Sequence, residues 1–434
     1  MNTSDREQLG FLSVVSIGIG GMVGGGIFAV LGLSVEYAKG GTPVAFLLAG
    51  IVALITSYSY AKLSVRYPSE GGTVEFLIQS YGKGIFSGGL NILLWVSYII
   101  MLSLYASAFG SYGSVFFSGD HQELWKHVLI TGIIILLTIV NALSVKAVGK
   151  AEEWIVFFKI AILLFFVFIG IWFIHGSNLH VDQWANPIQL IAGGMIIFLA
   201  YEGFELIANT AKDVKNAQKT LPRAYYTAVG FVIILYILIA IVTVGNLSLS
   251  EILHAEDYAL AMAAKPFLGD AGFILIAVAA LLSTASAINA TLYGASRVSY
   301  IIAKEGELPR MLEKNIWHRP IEGLLITSVF TIMAANFFDL SSISTMGSAG
   351  FLIIFAAVNG ANVRLNKETD SVQWISMTGL VFCLLALGIL LWHTAVNHPN
   401  QIWVLIIMVA FSFVIEWRYL RKMRQIKSNM TDNF

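Results

Sequence analysis

The stretch GIGGMVGGGIF, residues 18–28, places six glycines in eleven positions inside the first long apolar run of the chain. Each glycine costs a helix about 1 kcal/mol relative to alanine, and a segment in lipid must still satisfy every backbone hydrogen bond. Two readings are open. The run packs very closely against a neighbouring helix, for which Gly20 and Gly24 have the small-xxx-small spacing. Or it unwinds, so that its N–H and C=O groups face a ligand. Three consecutive glycines, Gly24, Gly25 and Gly26, exceed what close packing needs, so unwinding is the expectation.

The rest of the chain says where such a segment sits. Of 434 residues, 57% are hydrophobic and 12% charged, about half the charged share of a soluble domain. The chain is therefore expected to be an all-α polytopic membrane protein, with the lipid bilayer as its surroundings. Twenty-six cations balance twenty-six anions, and this even charge gives nucleic acid no basic surface. The single cysteine, Cys383, excludes an intrachain disulfide, and no Cys/His spacing suits a metal. No Walker A loop or catalytic constellation is visible, so neither an ATP-driven pump nor an enzyme is expected, and no cofactor. The start, MNTSDREQLG, lacks the basic region of a cleavable signal, so the first apolar run is expected to stay as an anchor.

A span needs about 20 apolar residues, and twelve are read: 10–36, 43–65, 84–117, 127–145, 152–175, 188–212, 223–246, 269–302, 321–337, 341–363, 374–395 and 399–418. The longest polar connections are 66–83, 247–268 and 303–320. With the N-terminus inside, the outer loops hold only Lys39, Lys126 and Lys265. Lys159 lies within a span, and the remaining 22 of the 26 cations fall on the cytoplasmic side. That bias predicts an even span count with both termini cytoplasmic. Span 6, GGMIIFLAYEGFELIANTA, carries Gly203 flanked by Glu202 and Glu205, about 180 residues after the glycine run. Spans 1 and 6 open successive five-span blocks, 10–175 and 188–363, with 374–418 supplying two further helices. Five is odd, so the second block enters from the opposite side. Paired interrupted helices in an inverted repeat mark a transporter's midplane site. The glycine run and the Glu202–Glu205 region should therefore face each other as non-helical segments within one transmembrane domain spanning 1–434. A channel would instead need a continuous polar stripe.

The motifs resemble those of the amino acid–polyamine–organocation superfamily. GGGIF at 24–28 is similar to its helix-1 signature and FLAYEGFE at 198–205 to its helix-6 motif. YPSEGGTVEFLIQSYG at 67–82, KDVKNAQKTLPRA at 212–224 and AKEGELP at 303–309 resemble its loops after helices 2, 6 and 8. KAVGKAEEWIVFFK at 146–159 and LSTASAINATLYG at 282–294 look most like its proton-coupled, broad-specificity ApcT-type branch. The resemblance implies the LeuT-type fold: ten helices in a 5+5 inverted repeat with helices 1 and 6 broken, plus two C-terminal helices. It implies a secondary transporter of the plasma membrane importing amino acids by alternating access, independent of sodium. Two positions depart from the family pattern: the glycine motif offers no hydroxyl side chain, and Glu202 stands where relatives are mostly apolar.

An amino acid zwitterion then defines the site. Its carboxylate suits the N–H groups and positive dipole end at Gly24, Gly25, Gly26 and Ile27, where the outer half of helix 1 begins. Its ammonium suits carbonyls around Ile19, Gly20 and Met22, and at the break Ala200 to Gly203. Phe198, Tyr201 and Phe204 are expected as wall or gate aromatics, or as ordinary packing. Lys159 lies among Phe157, Phe158 and Ile160, where an ammonium is costly. By the resemblance it fills a sodium ion's place, near the Gly20 carbonyl and Ser283, with Ser286 as a further partner, and exchanges a proton. Glu205 is read either as a proton carrier or as a cap for backbone N–H groups freed by the break. Glu202 is read either as selecting a cationic substrate or as turned into a water-filled vestibule. The competing function is exchange of a cationic amino acid or polyamine for its metabolite. Arg297 is expected to pair with an acid near the inner end of span 8. The sequence carries no mark of oligomeric state.

Overall fold

The computed structural model describes residues 8–117, 121–143, 148–308 and 321–431. Among these residues the chain is helical, with two isolated bridges, Leu9–Val214 and Lys39–Trp184, and no strand. The helices run α1 (Phe11–Met22), α2 (Gly26–Ala38), α3 (Thr42–Arg66), α4 (Thr73–Tyr81), α5 (Ile85–Ser114), α6 (Gln122–Leu143) and α7 (Val148–Gly170). The second half holds α8 (Pro187–Ile196), the 3₁₀ helix Phe198–Asp213, α9 (Ala217–Asn246), α10 (Leu249–Ala255) and α11 (Ala259–Lys304). It closes with α12 (Ile321–Phe337), α13 (Leu340–Arg364), α14 (Gln373–Asn397) and α15 (Pro399–Thr431).

Nine of the described helices are long and apolar enough to cross a membrane, and two bent pairs bring the crossings to eleven. Those pairs are α1 with α2, bent by 43°, and α8 with Phe198–Asp213, bent by 41°. The ninth expected span is α12, seventeen residues long and about 25 Å at 1.5 Å per residue. The segment 309–320 before it, which holds part of the expected 303–320 connection and the last residue of AKEGELP, lies outside the described residues. So do 144–147, at the start of the KAVGK motif.

Two expected connections hold more structure than their polarity suggests. Within 66–83, Thr73–Tyr81 forms a helix because its apolar side chains Val74, Phe76 and Leu77 are buried. Within 247–268, α10 and the start of α11 are helical, and Gly269 (φ +64°) supplies the kink before the expected span 8. Elsewhere the apolar patterns translate directly into packing. Helix α5 is buried along almost its whole length and forms the centre of the bundle. Helices α6, α7, α14 and α15 leave Leu136, Phe168, Trp392 and Ile407 exposed on an apolar outer surface. Such a belt is what hydrocarbon solvates, since lipid tails are as apolar as leucine.

Candidate functional site

The first break is a turn at Val23, Gly24 and Gly25, and α2 starts at Gly26 with Gly25 as its N-cap. Its first N–H groups, at Gly26, Ile27 and Phe28, have no intrahelical acceptor by geometry. Each glycine of the triplet lies against a different neighbour. An added β-carbon would stand 2.5 Å from the Ala287 β-carbon at Gly24, 2.3 Å from the Tyr105 ring at Gly25, and 2.7 Å from the Ala200 Cα at Gly26. Unwinding and close packing therefore coexist, and a hydroxyl-bearing residue has no room at these positions.

The second break lies at Ile197, between α8 and the 3₁₀ helix. It is not at Ala200 to Gly203, where the sequence reading set it. Gly203 instead lies where helices 1 and 6 press together: a β-carbon there would stand 2.1 Å from the Gly21 carbonyl carbon. The whole of 198–213 is wound as 3₁₀ helix, a state that rarely exceeds a few residues and marks hinges or strain. Serines of α13 stitch this break. Ser344 and Ser348 Oγ donate to the Ile196 carbonyl at 2.7 and 2.8 Å, and Leu199 N–H donates to Ser348 Oγ at 3.0 Å.

At the end of α1, three successive carbonyls are taken by side chains from three elements. Lys159 Nζ donates to Gly20 O at 3.0 Å, Tyr105 Oη to Gly21 O at 3.3 Å, and Tyr236 Oη to Met22 O at 2.6 Å. Tyr236 also reaches Ala200 O at 3.3 Å and faces the Ile27 N–H, so one hydroxyl touches both broken helices. The Ile19 carbonyl accepts from Val23 N–H at 2.8 Å. The carbonyls expected for a substrate ammonium are thus already engaged, and an incoming ammonium must use their second lone pairs or displace a tyrosine. Tyr105 and Tyr236 escaped the sequence reading. Each sits in an ordinary apolar span, and only the fold aims it at a break.

Lys159 is 2% exposed. The expected contact from Lys159 to Ser283 is absent: Ser283 Oγ is buried and has no hydrogen-bond partner. Ser286, on the same helix, is nearly buried. Glu202 is 2% exposed, so it is not turned into a vestibule, and its Oε1 has no hydrogen-bond partner. Glu205 takes no backbone N–H as a cap. Its Oε2 accepts from Thr73 at 2.9 Å and Tyr60 at 3.3 Å, and its Oε1 from Tyr98. The two carboxyls interact directly, because residues three apart eclipse in a 3₁₀ helix. Phe198 and Phe204 pack on Phe355, while Tyr201 stacks near Tyr236 and donates to Phe46 O at 2.9 Å. All three are fully buried and packed on other aromatic rings. Arg297 pairs with Glu70 at 2.5 Å, joining α11 to the segment before α4.

Two interrupted helices pressed together, with the first N–H groups of α2 lacking intrahelical acceptors and a buried ammonium and two carboxyls beside the breaks, suit binding of a small charged molecule. Several proteins similar to this chain are named as transporters. A family model described as "Amino acid permease" matches residues 9–413. The Inner membrane transport protein YbaT of Escherichia coli is 35% identical over 93% of this chain and 95% of its own. The Methylthioribose transporter of Bacillus subtilis is 25% identical over 96% and 94%. The Cationic amino acid transporter 6, chloroplastic, of Arabidopsis thaliana is 23% identical over 88% and 71%. The family is one of multi-pass membrane transporters rather than enzymes, and this chain belongs to it: the amino acid permeases of the amino acid–polyamine–organocation superfamily.

Proposed function

We propose that the protein imports amino acids by alternating access, driven by protons and independent of sodium, across the plasma membrane with both termini cytoplasmic. The arrangement would be twelve helices in a 5+5 inverted repeat, 10–175 and 188–363, followed by 374–418. The observation that carries the coupling is Lys159, buried in the apolar wall with its ammonium 3.0 Å from the Gly20 carbonyl at the helix-1 break. A fixed ammonium there repels a sodium ion and is the group that would carry the proton. The substrate carboxylate would sit on the N–H groups of Gly26 and Ile27 at the positive end of α2. Uptake into proteoliposomes with imposed gradients tests the reading. An inward proton gradient should stimulate uptake and a sodium gradient should not; sodium-driven uptake would reject it.

One observation favours exchange of a cationic amino acid or polyamine: Glu202 Oε1 is buried without a partner beside the breaks. A basic side chain would supply the missing donor. Breaking such a buried pair costs about 3–5 kcal/mol. Glu202→Gln should therefore weaken competition by lysine or arginine far more than by alanine in a counterflow assay. Equal losses would move Glu202 from selectivity to coupling or structure.

A further inference from the structure

A second group of buried acids lies away from the helix breaks and shares no residue with them. Glu416, on the last membrane turn of α15, is fully buried, and neither of its carboxyl oxygens has a hydrogen-bond partner. It lies over Gly88 of α5, where a β-carbon would come within 2.4 Å of the Glu416 carboxyl carbon. Glu307, in the turn after α11, is 2% exposed and meets the same face of α5. Its Oε2 accepts from Asn91 Nδ2 at 2.6 Å. Its Oε1 lies 3.5 Å from Ser87 Oγ, whose single hydroxyl hydrogen has the shorter bond to Gly82 O at 2.6 Å. Asn91 is fully buried, and its Oδ1 also has no partner. Among the described residues, three buried acceptor oxygens beside one face of α5 thus have no donor, two on Glu416 and one on Asn91, and Glu307 Oε1 has only the long contact from Ser87. The charged groups acting on Glu307 are Glu305, Lys83 and Glu416. Lys83 is committed to Glu305 at 2.7 Å, on the surface. Among the described residues, the acid acting on Glu416 is Glu307.

A buried carboxylate without a counter-ion costs several kcal/mol, and an acceptor left without a donor about 1–3 kcal/mol. A carboxylic acid cures both faults, since its O–H becomes the missing donor. We propose that Glu307 and Glu416 form a proton-binding site at the seam of α5, α15 and the turn after α11, where a proton retained by the pair supplies the missing donor. The site is separate from Lys159 and stands or falls independently of the coupling reading. Burial supports it by pushing the Glu307 carboxyl up from its ordinary 4.5 to about 7.

The sign follows from linkage. Between about pH 4.5 and pH 7 the folded protein binds a proton that the unfolded chain has released, so stability falls as pH rises through that window and levels off above it. The test is the melting temperature of the purified, detergent-solubilised protein between about pH 5 and about pH 8. The wild type should lose several degrees over that range. Glu416→Gln and Glu307→Gln, which carry the donor permanently, should each remove most of the site's share, and Glu305→Gln on the surface should not. Infrared pH-difference spectra of the wild type provide a second readout, a carboxylic-acid carbonyl band that titrates near neutral and disappears in either glutamine variant that folds. An unchanged pH slope in both variants, or spectra without that band, would overturn the proposal. So would recovery of the wild-type melting temperature at high pH on adding sodium, potassium or calcium, which would make the site one for a metal cation.

Discussion

At the scale of single residues, the glycines of the two breaks act through what they lack. Gly203 and Gly21 bring the backbones of helices 1 and 6 into contact, and a β-carbon at Gly203 would stand 2.1 Å from the Gly21 carbonyl carbon. The neighbouring atoms are backbone, so no side chain can swing aside. Overpacking in a tight core costs about 1–3 kcal/mol, and more where backbone must shift. Gly203→Ala should therefore lower the melting temperature sharply and abolish substrate binding. Gly230→Ala is the control, since nothing lies within 4 Å of a β-carbon there. It should leave the melting temperature unchanged or raise it slightly, because alanine favours the helix by up to about 1 kcal/mol. Equal behaviour of the two variants would mean that helix 6 can move off helix 1 at no cost. Glu202 and Glu205 divide differently: three hydroxyls satisfy Glu205, whereas one oxygen of Glu202 has no donor. Of the two, Glu202 is the one still open to a ligand.

At the scale of elements, each break is held by helices remote in sequence. α7, α5 and α9 each send one side chain to the end of α1, and α13 sends two serines to the end of α8. Tyr236 spans both breaks. Removing its hydroxyl leaves the Met22 carbonyl buried without a side-chain donor, at about 1–3 kcal/mol. Tyr236→Phe should cost a few degrees of melting temperature in the substrate-free protein, and saturating substrate should restore part of the loss by donating to the same carbonyls. A loss that substrate does not touch would place the ammonium elsewhere. The elements also show how far the sequence could be read. The break in helix 1 was legible because three consecutive glycines exceed what close packing alone needs. The break in helix 6 was legible as a feature but was placed at Ala200 to Gly203, three to six residues beyond its position at Ile197. The reason is physical: Gly203 answers to a tertiary contact with Gly21, while the bend is fixed by hydroxyls of α13. Side chains that reach a site from distant helices, such as Tyr105 and Tyr236, leave no local pattern. Helices Thr73–Tyr81 and α10 were hidden for the opposite reason, because short helices in polar segments draw their stability from packing rather than from a long apolar run.

At the scale of the whole molecule, the question is how a site built from backbone is tied to a driving force. α1 ends beside α7 through one buried ammonium, and helix 8, within α11, lies against Gly24 through Ala287. Lys159 ties α7 to the Gly20 carbonyl; in the proposed coupling, losing its proton would weaken that tie and free one helix group to move against the other. A hydrogen bond to a charged group contributes about 1.5–3 kcal/mol, so losing the switch should lower proton-driven uptake roughly ten- to a hundredfold. Lys159→Ala should do so while leaving substrate binding measurable by counterflow. Lys159→Arg keeps a charge that is never released, and should fail in the same way although its tie to Gly20 can persist. The pair of variants separates two mechanisms. If only a cation is needed to brace the broken helix, arginine rescues what alanine loses. If the proton itself must leave, neither variant cycles. Undiminished proton-driven uptake by Lys159→Ala would remove Lys159 from the mechanism and leave the Glu202–Glu205 pair to carry the proton.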